Sequence, residues 1–160
     1  MAFRDTDNTA FQTAYDNFAD LLYRVALSHL KHPEDAMDAV QDVFLKLHSS
    51  GKRFRDIEHQ RAWLLRVTIN RCHDLARRNA IRVYTPLEDV AHLAADTNER
   101  PAVLAEIDRL PATLKSAVVL HYLEGFSVEE TASVLKLSAS AVKMRLSRAR
   151  DLLRSALQGE

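Results

Sequence analysis

Residues Phe126–Leu157 read FSVEETASVLKLSASAVKMRLSRARDLLRSAL, and this stretch decides the fold of the second half of the chain. Ser127 and Glu130 have the spacing of a capping box, which predicts a helix over residues 127–135. A second helix is predicted to begin after Ser138. The segment between them is short enough for the tight corner of a helix-turn-helix, a motif that places its second helix in the major groove of DNA.

The second of these helices has two different faces. At 100° per residue, one narrow stripe is apolar and should be buried against the rest of its domain; it contains Val142, Leu146, Ala149 and Leu153. The opposite face should be exposed, with central residues on base edges and flanking cations on phosphates. It carries Ser140, Met144, Ser147 and Arg148, with Lys143 and Arg145 on its flanks. An ordinary amphipathic helix with a solvated basic face is the alternative interpretation.

Composition limits the class of protein. With 160 residues and 47% apolar residues, the chain can bury one core or two small ones. No run approaches the roughly 20 apolar residues that cross a bilayer, and the N-terminus lacks an apolar signal core, so we expect a soluble cytoplasmic protein. Cys72 is the only cysteine, and the histidines lack ligand spacing, so neither a disulfide nor a metal or other cofactor is expected.

Charge is balanced overall but segregated along the chain. Lys plus Arg and Asp plus Glu both number 22, a neutral balance that is unusual for a protein that holds DNA unaided. Between Arg61 and Arg82 there are six arginines and one acid, whereas between Glu88 and Asp108 there are six acids and one base. This pattern indicates basic surfaces joined by an acidic connector.

Helical periodicity and the presence of only three glycines predict an all-α fold without strands. One helix is predicted over 11–30, and Pro33 should open the next. From Asp35 to Leu47, one side of that helix is apolar and the other is an acidic ridge that contains Asp35, Asp38 and Asp42. The stretch 49–51 should end it, and a polar loop over 52–60 should follow, with Arg53 and Phe54 in it.

The next helix is predicted over Arg61–Arg78. Its buried side would contain Leu64, Leu65, Ile69, Cys72 and Leu75. The other side repeats aromatic, basic and amide residues suited to unstacked bases, because aromatic rings and guanidinium planes stack on bases and amides read base edges. These residues are Trp63, Arg66, Asn70, His73 and Arg77, with Asp74 beside them. For Trp63 the alternative is burial at the start of the helix.

The organisation predicted from these patterns is two small helical domains joined by an acidic linker. Residues 1–82 would form the first domain, 83–100 the linker and 101–160 the second domain. The linker is longer than an ordinary loop within a compact domain.

Taken together, these pieces make the chain resemble the extracytoplasmic-function (ECF) group of bacterial RNA polymerase sigma factors, which belong to the sigma-70 family. DAMDAVQDVFLKLH (Asp35–His48) looks like the polymerase-binding helix of region 2. RAWLLRVTINRCHDLARR (Arg61–Arg78) looks like its promoter-melting and −10-reading helix. The stretch Asp108–Leu157 is similar to the region 4 domain that reads the −35 element.

The resemblance implies three sets of site residues. Core RNA polymerase would be bound by Asp35, Asp38, Gln41, Asp42 and Lys46. The −10 element would be bound by Arg53, Phe54, Trp63, Arg66, Asn70, Asp74, Arg77 and Arg78. The −35 element would be bound by Ser140, Lys143, Met144, Arg145, Ser147 and Arg148. Ser140-Ala141 stands where the family usually has Gly-Thr, and Met144 where a small polar residue is common, so the preferred −35 sequence should differ.

The function expected is that of a sigma factor that lends promoter specificity to core RNA polymerase. Its partners would be core polymerase, promoter DNA and an anti-sigma protein, with no small-molecule substrate and no catalytic residues. Two alternatives are a sigma-mimicking protein that binds an anti-sigma factor and a helix-turn-helix regulator that works without polymerase exchange. A sigma-mimicking protein, which would act as a decoy without contacting DNA, would not require Asn70, Arg77, Lys143 and Arg148. A helix-turn-helix regulator should carry a sensory domain before its motif.

Overall fold

A computed structural model describes the backbone of residues 2–81 and 101–159, and the side chains of residues 9–78 and 101–159. Within these ranges the chain is α-helical, apart from one π-helical turn and short connections, and contains no strand. The predicted linker over 83–100 lies outside the described residues. The chain divides into two compact units, Met1–His73 and Asp74–Glu160.

Three helices contribute to the first unit: α1 (Ala2–Leu30), α2 (Pro33–Ser50) and α3 (Ile57–Ile81), whose last turns continue beyond His73. Helix α1 begins earlier than the predicted residue 11. Pro33 opens α2, as predicted, because its fixed φ suits the first turn and its missing N–H is not needed there. Gly51 ends α2 in the left-handed conformation with φ 61°, which costs a glycine no steric strain.

The loop after α2 is shorter than predicted. It was expected to extend to Gln60, but α3 already begins at Ile57. The carboxylate of Asp56 accepts the backbone N–H of His59 at 2.7 Å, as an N-cap residue does. The helix start signal is therefore Asp56, and residues 57–60 form the first turn of α3.

The apolar stripes of these helices meet in the core of the first unit. From α2 they contribute Val40, Val43, Phe44 and Leu47, and from α3 Leu64, Leu65, Ile69 and Cys72, all of which are buried as predicted. Leu75, which was also predicted to be buried, is only half-buried. Aromatic side chains join α1 to α2: the ring of Phe44 lies 5.9 Å from that of Phe11 and 5.0 Å from that of Tyr15. Such contacts fix the orientation of α2 and leave its acidic side outward.

The second unit contains α4 (Ala102–Asp108), α5 (Ala112–Val118), α6 (Val128–Leu135) and α7 (Ala139–Gln158). A π-helical turn, Val119–Leu123, extends α5. The predicted capping box is present, since Ser127 Oγ accepts the Glu130 N–H and Glu130 Oε1 accepts the Ser127 N–H, each at 3.0 Å. Ser138 caps α7 in the same way, by accepting the Ala141 N–H at 3.1 Å.

The corner between α6 and α7 is the tight turn that the sequence predicts. Lys136 ends α6 in the left-handed conformation, with φ 55°, and the Leu137 N–H donates to the Ala132 carbonyl at 3.0 Å. The left-handed lysine was not foreseen, because non-glycine residues adopt positive φ only rarely. This turn directs α7 away from α6 and fixes the two-helix geometry.

One side of each helix in the second unit faces its hydrophobic core. Buried in it are Ile107, Leu110, Leu114, Ala117, Val118, Ala132, Val142, Leu146 and Ala149, and Leu153 packs against them. The stripe predicted for α7 is therefore confirmed. Lys115 and Asp108 form a buried pair with 3.8 Å between Nζ and Oδ1, which joins the end of α4 to α5.

We expect Thr131→Val to raise the free energy of unfolding by about 1 kcal/mol. The Thr131 side chain is fully buried, and among the residues that the structure describes its hydroxyl has no hydrogen-bond partner. A methyl group in its place keeps the branched shape and removes the cost of burying an unpaired hydroxyl. Urea unfolding followed by circular dichroism measures the difference.

Thr68→Val is the matched control. Thr68 is also fully buried, but its hydroxyl donates to the Leu64 carbonyl at 2.7 Å. The same substitution should lower stability there by about 1 kcal/mol. Equal losses at both positions would show that the hydroxyl of Thr131 is paired after all.

Candidate functional site

The outward face of α7 is a polar and basic surface on a rigid support. Ser140, Lys143, Met144, Ser147 and Arg148 are exposed, and Met144 is 57% exposed despite being apolar. The buried stripe and the Ser138 cap hold the opposite side of the same helix. The face therefore presents hydrogen-bond donors and one apolar group outward without needing to rearrange, which suits direct contact with base edges.

Arg145 occupies a different environment from the other cations of α7. It is half-buried, and its Nη1 is directed at the Thr113 carbonyl, 3.5 Å away at the start of α5. Its guanidinium thus lies against the body of the second unit. Its flank position agrees with the prediction, but part of its donor set is already directed at protein.

The outward side of α3 is formed by the later turns of the helix. Asn70, Asp74, Arg77 and Arg78 are exposed. Asp74 Oδ1 accepts Arg77 Nη2 at 2.6 Å, so the two charges form one polar group. Arg66 is half-buried, and desolvation by burial lowers the pKa of its guanidinium, although arginine remains charged in proteins.

Trp63 does not belong to the exposed stripe, and that expectation is wrong. Only 8% of the residue is exposed, because it packs at the start of α3, where its ring centroid lies 5.6 Å from that of Phe54. Lys52 Nζ lies 5.3 Å from the indole centroid and covers it further. The burial alternative is the observed arrangement, since a large aromatic ring at the margin of a helix stripe gains free energy by turning inward.

The loop before α3 is ordered by the same aromatic cluster. Phe54 is half-buried between Trp63 and His59, whose ring lies 5.4 Å away. The backbone N–H of Arg55 donates to His59 Nδ1 at 3.3 Å. Arg53, which precedes Phe54, is exposed. The loop thus presents cationic side chains from a backbone held by Phe54 and His59.

The acidic ridge of α2 differs in one respect from the prediction. Asp38, Gln41 and Lys46 are exposed, and Asp35 is half-buried. Asp42, however, accepts Arg71 Nε from α3 at 2.9 Å, which ties the two helices together. This pair was not predicted, because 29 residues separate its members and no local pattern signals it. A half-exposed pair of this kind contributes at most about 1 kcal/mol.

Two exposed apolar side chains on α2 were also missed. Met37 is 54% and Leu45 is 66% exposed. The acids dominate the sequence pattern of this helix, so the apolar residues between them gave no signal of their own. An exposed apolar surface surrounded by polar residues is the usual composition of a protein-binding interface.

Comparison with known proteins agrees with both units. The sigma-70 region 2 model matches residues 14–81, and the sigma-70 region 4 model matches residues 100–153. The ECF sigma factor SigM of Mycobacterium tuberculosis is 35% identical over 150 residues, which cover 92% of this chain and 76% of SigM. The chain belongs to the ECF sigma factors of the sigma-70 family. As such it directs promoter-specific initiation of transcription, and sigma factors are non-enzymatic regulators of transcription.

Solved structures agree with the fold of this sigma factor. CnrH of Cupriavidus metallidurans is 31% identical over 143 residues, 79% of this chain and 75% of CnrH. Its structure in complex with the cytosolic domain of CnrY matches with a TM-score of 0.68 and 26% identity over 96% of this chain and 90% of that one. The structure of RpoE of Bartonella quintana in complex with the anti-sigma factor NepR matches with a TM-score of 0.66 and 22% identity, over 93% of this chain and 97% of RpoE. This match shows a likeness of fold.

In the described part of the sigma factor, no helix combines the length and apolar character that crossing a membrane requires. No group of three or more potential metal ligands occurs among the same residues. Cys72, the only cysteine, is buried in α3.

The burial of Trp63 predicts that its fluorescence is shielded from solvent. Trp63 is the only tryptophan, so the emission of the native chain should be blue-shifted and weakly quenched by acrylamide, and unfolding in urea should remove both properties. Native quenching as efficient as that of the unfolded chain would place the indole outside the core. Phe54→Ala, which removes one ring that covers the indole, should increase the native quenching.

Proposed function

We propose that the outward face of α7 reads the −35 element. The observation that supports this proposal is that the two sides of one helix differ. Val142 and Leu146 are buried on one side, whereas Lys143 and Arg148 are exposed on the other. Arg148 is suited to guanine, because a guanidinium fork matches the two acceptors of that base. Met144 offers an apolar contact of the kind that a thymine methyl group accepts. Ser140, Lys143, Arg145 and Ser147 complete the contact surface.

We further propose that the −10 element is bound by α3 and the loop before it. Asn70, Asp74 and Arg77 form the exposed polar side of α3, and Asn and Arg are residues that read base edges and stack on bases. Arg53, Arg66 and Arg78 supply positive charge, and Phe54 lies at the loop. Trp63, which is buried, acts from behind this surface by packing under Phe54.

Helix α2 is proposed as the polymerase-binding element. Asp38, Gln41 and Lys46 are exposed on it, with Asp35 and Asp42 at the margin. Met37 and Leu45 add apolar area between the charges, which supports a protein partner because protein interfaces combine an apolar centre with a polar rim. Residues 1–82 would thus act as the polymerase and −10 domain, 83–100 as linker and 101–160 as the −35 domain.

The neutral net charge supports a mechanism in which core polymerase supplies part of the affinity for promoter DNA. Because phosphate neutralisation by basic residues supplies most of the affinity of DNA-binding proteins, the free factor should bind DNA weakly and gain promoter affinity in the holoenzyme. We propose that it acts in the cytoplasm without catalysis of its own. An anti-sigma protein is the proposed regulator, since the structures of CnrH and RpoE contain CnrY and the anti-sigma factor NepR, respectively.

Transcription with purified core polymerase, this chain and a pool of genomic promoter fragments tests the proposal. New transcripts should start a fixed distance below shared −35 and −10 sequences. Binding to core polymerase without any transcript would favour the decoy alternative, in which the chain only titrates an anti-sigma factor. Failure of both binding and transcription, with active polymerase, would favour a helix-turn-helix regulator.

Arg148→Ala should weaken promoter use by roughly 1 to 3 kcal/mol, because one bidentate base contact is lost. The loss should appear on promoters with the preferred −35 element and vanish when that element is scrambled. Arg109→Ala is a matched control, since Arg109, directly after α4, is an exposed arginine paired with Glu106 at 3.0 Å. An equal proportional loss of activity on both kinds of promoter would remove this assignment.

Asp38→Lys should weaken binding to core polymerase by at least about tenfold, the effect of losing roughly 1.4 kcal/mol at a charged interface position. Asp20→Lys, which makes the same change at an exposed position of α1, is the control. Labelled sigma factor titrated with core enzyme measures both affinities. Parallel losses in the two variants would indicate a general charge effect and not a site on α2.

A further inference from the structure

Tyr122 and Arg150 form a polar contact outside the residues assigned above. Arg150 Nη1 donates to the Tyr122 hydroxyl at 2.9 Å, across 28 residues of sequence. Both residues are exposed, Tyr122 by 49%. Two exposed side chains gain little stability from such a bond, because each can bind water instead. The hydrogen bond between Tyr122 and Arg150 is therefore better explained by a role in binding than by a role in stability.

The backbone around Tyr122 is held by several hydrogen bonds. The residues that follow the π-helical turn donate hydrogen bonds back to it: the Glu124 N–H donates to the Val119 carbonyl at 2.9 Å, and the Phe126 N–H donates to the Leu120 carbonyl at 3.0 Å. His121 Nδ1 donates to the Phe126 carbonyl at 2.7 Å. Single π-helical turns within helices occur often at functional sites. The turn buries Leu120 and presents the Tyr122 hydroxyl toward α7.

Arg150 lies at the edge of the DNA-facing side of α7. It follows Lys143 by seven residues, which places the two side chains on one edge of the helix, separated by about 10 Å along its axis. Arg154, four residues further, continues the same edge and is exposed. The first turns of a recognition helix contact bases, whereas residues further along it approach the sugar–phosphate backbone that borders the groove.

We propose that Tyr122 and Arg150 together bind one phosphate of the promoter beside the −35 element. This inference rests on the proposed −35 role of α7 and adds to it a contact that carries no base preference. The Tyr122 oxygen accepts from Arg150, so its O–H hydrogen can donate to the same phosphate oxygen that the other guanidinium donors approach. Tyrosine and arginine both serve as phosphate contacts in protein–DNA complexes.

The tyrosine also acts as a positioning residue for the arginine. A free arginine side chain loses many rotamers when it binds a phosphate. The bond to a hydroxyl on a rigid turn fixes the guanidinium before DNA arrives, which lowers that entropic cost. The Arg150→Lys substitution would keep the positive charge. It would remove the planar guanidinium, which can contact the Tyr122 oxygen and a phosphate oxygen at the same time.

The test uses holoenzyme assembled from core polymerase and full-length variants, with a promoter fragment of preferred or base-substituted −35 sequence. Arg150→Ala should lower affinity roughly tenfold on both fragments, the effect of one charge-assisted hydrogen bond. It should also reduce the slope of log affinity against log salt by about one. Arg150→Lys should retain that slope. Tyr122→Phe should weaken binding in the wild-type background and have a clearly smaller effect beside Arg150→Ala, where only the direct O–H contact is left to lose.

Three outcomes would overturn the proposal. Unchanged affinity and salt slope in Arg150→Ala would show that no phosphate is bound there. A loss confined to the preferred −35 sequence would make Arg150 a base reader. Additive losses from Tyr122→Phe and Arg150→Ala would show that the tyrosine does not act through the arginine. In each of these cases Arg148→Ala would still relax −35 preference; if the wild-type holoenzyme shows no −35 preference at all, the proposed role of α7 fails as well.

Discussion

The packing of α7 against the rest of the second unit is the constraint on which the proposed DNA recognition depends. Val142, Leu146 and Ala149 are buried together with Ala117 and Val118 of α5, and small side chains on both sides permit close contact. Because protein interiors are packed as densely as organic crystals, a helix held by such a seam has little rotational freedom. The exposed residues on its far side therefore keep fixed directions, which is what a surface that reads base edges requires.

Much of this arrangement could be predicted from local sequence. Three helix starts depend only on residues within one turn of one another, so they can be recognised without tertiary structure. They are the capping box at Ser127 and Glu130, the Ser138 cap and the proline that opens α2. The buried stripes of α3 and α7 follow from helical periodicity in the same way. The family likeness then assigned a promoter element or polymerase surface to each exposed face.

What could not be predicted depends on distant or ambiguous interactions. The Asp42–Arg71 pair joins residues 29 positions apart, and the half-burial of Arg145 depends on a carbonyl of another helix. Trp63 stood at the margin of a helical stripe, where periodicity does not decide between inside and outside; packing with Phe54 decided it. The left-handed Lys136 and the π-helical turn are backbone features to which residue propensities give almost no weight.

The capped start of α7 has an evolutionary consequence. Ser138 begins the helix with its own hydroxyl and the seam holds it, so Ser140, Met144 and Ser147 contribute nothing to either task. Surface substitutions away from caps and cores usually change folding free energy by less than about 0.5 kcal/mol. Under the −35 role proposed for this face, successive replacements on it can therefore alter promoter preference while every intermediate protein remains folded. A lineage of such factors can diverge in the genes it controls through single steps, with the scaffold unchanged.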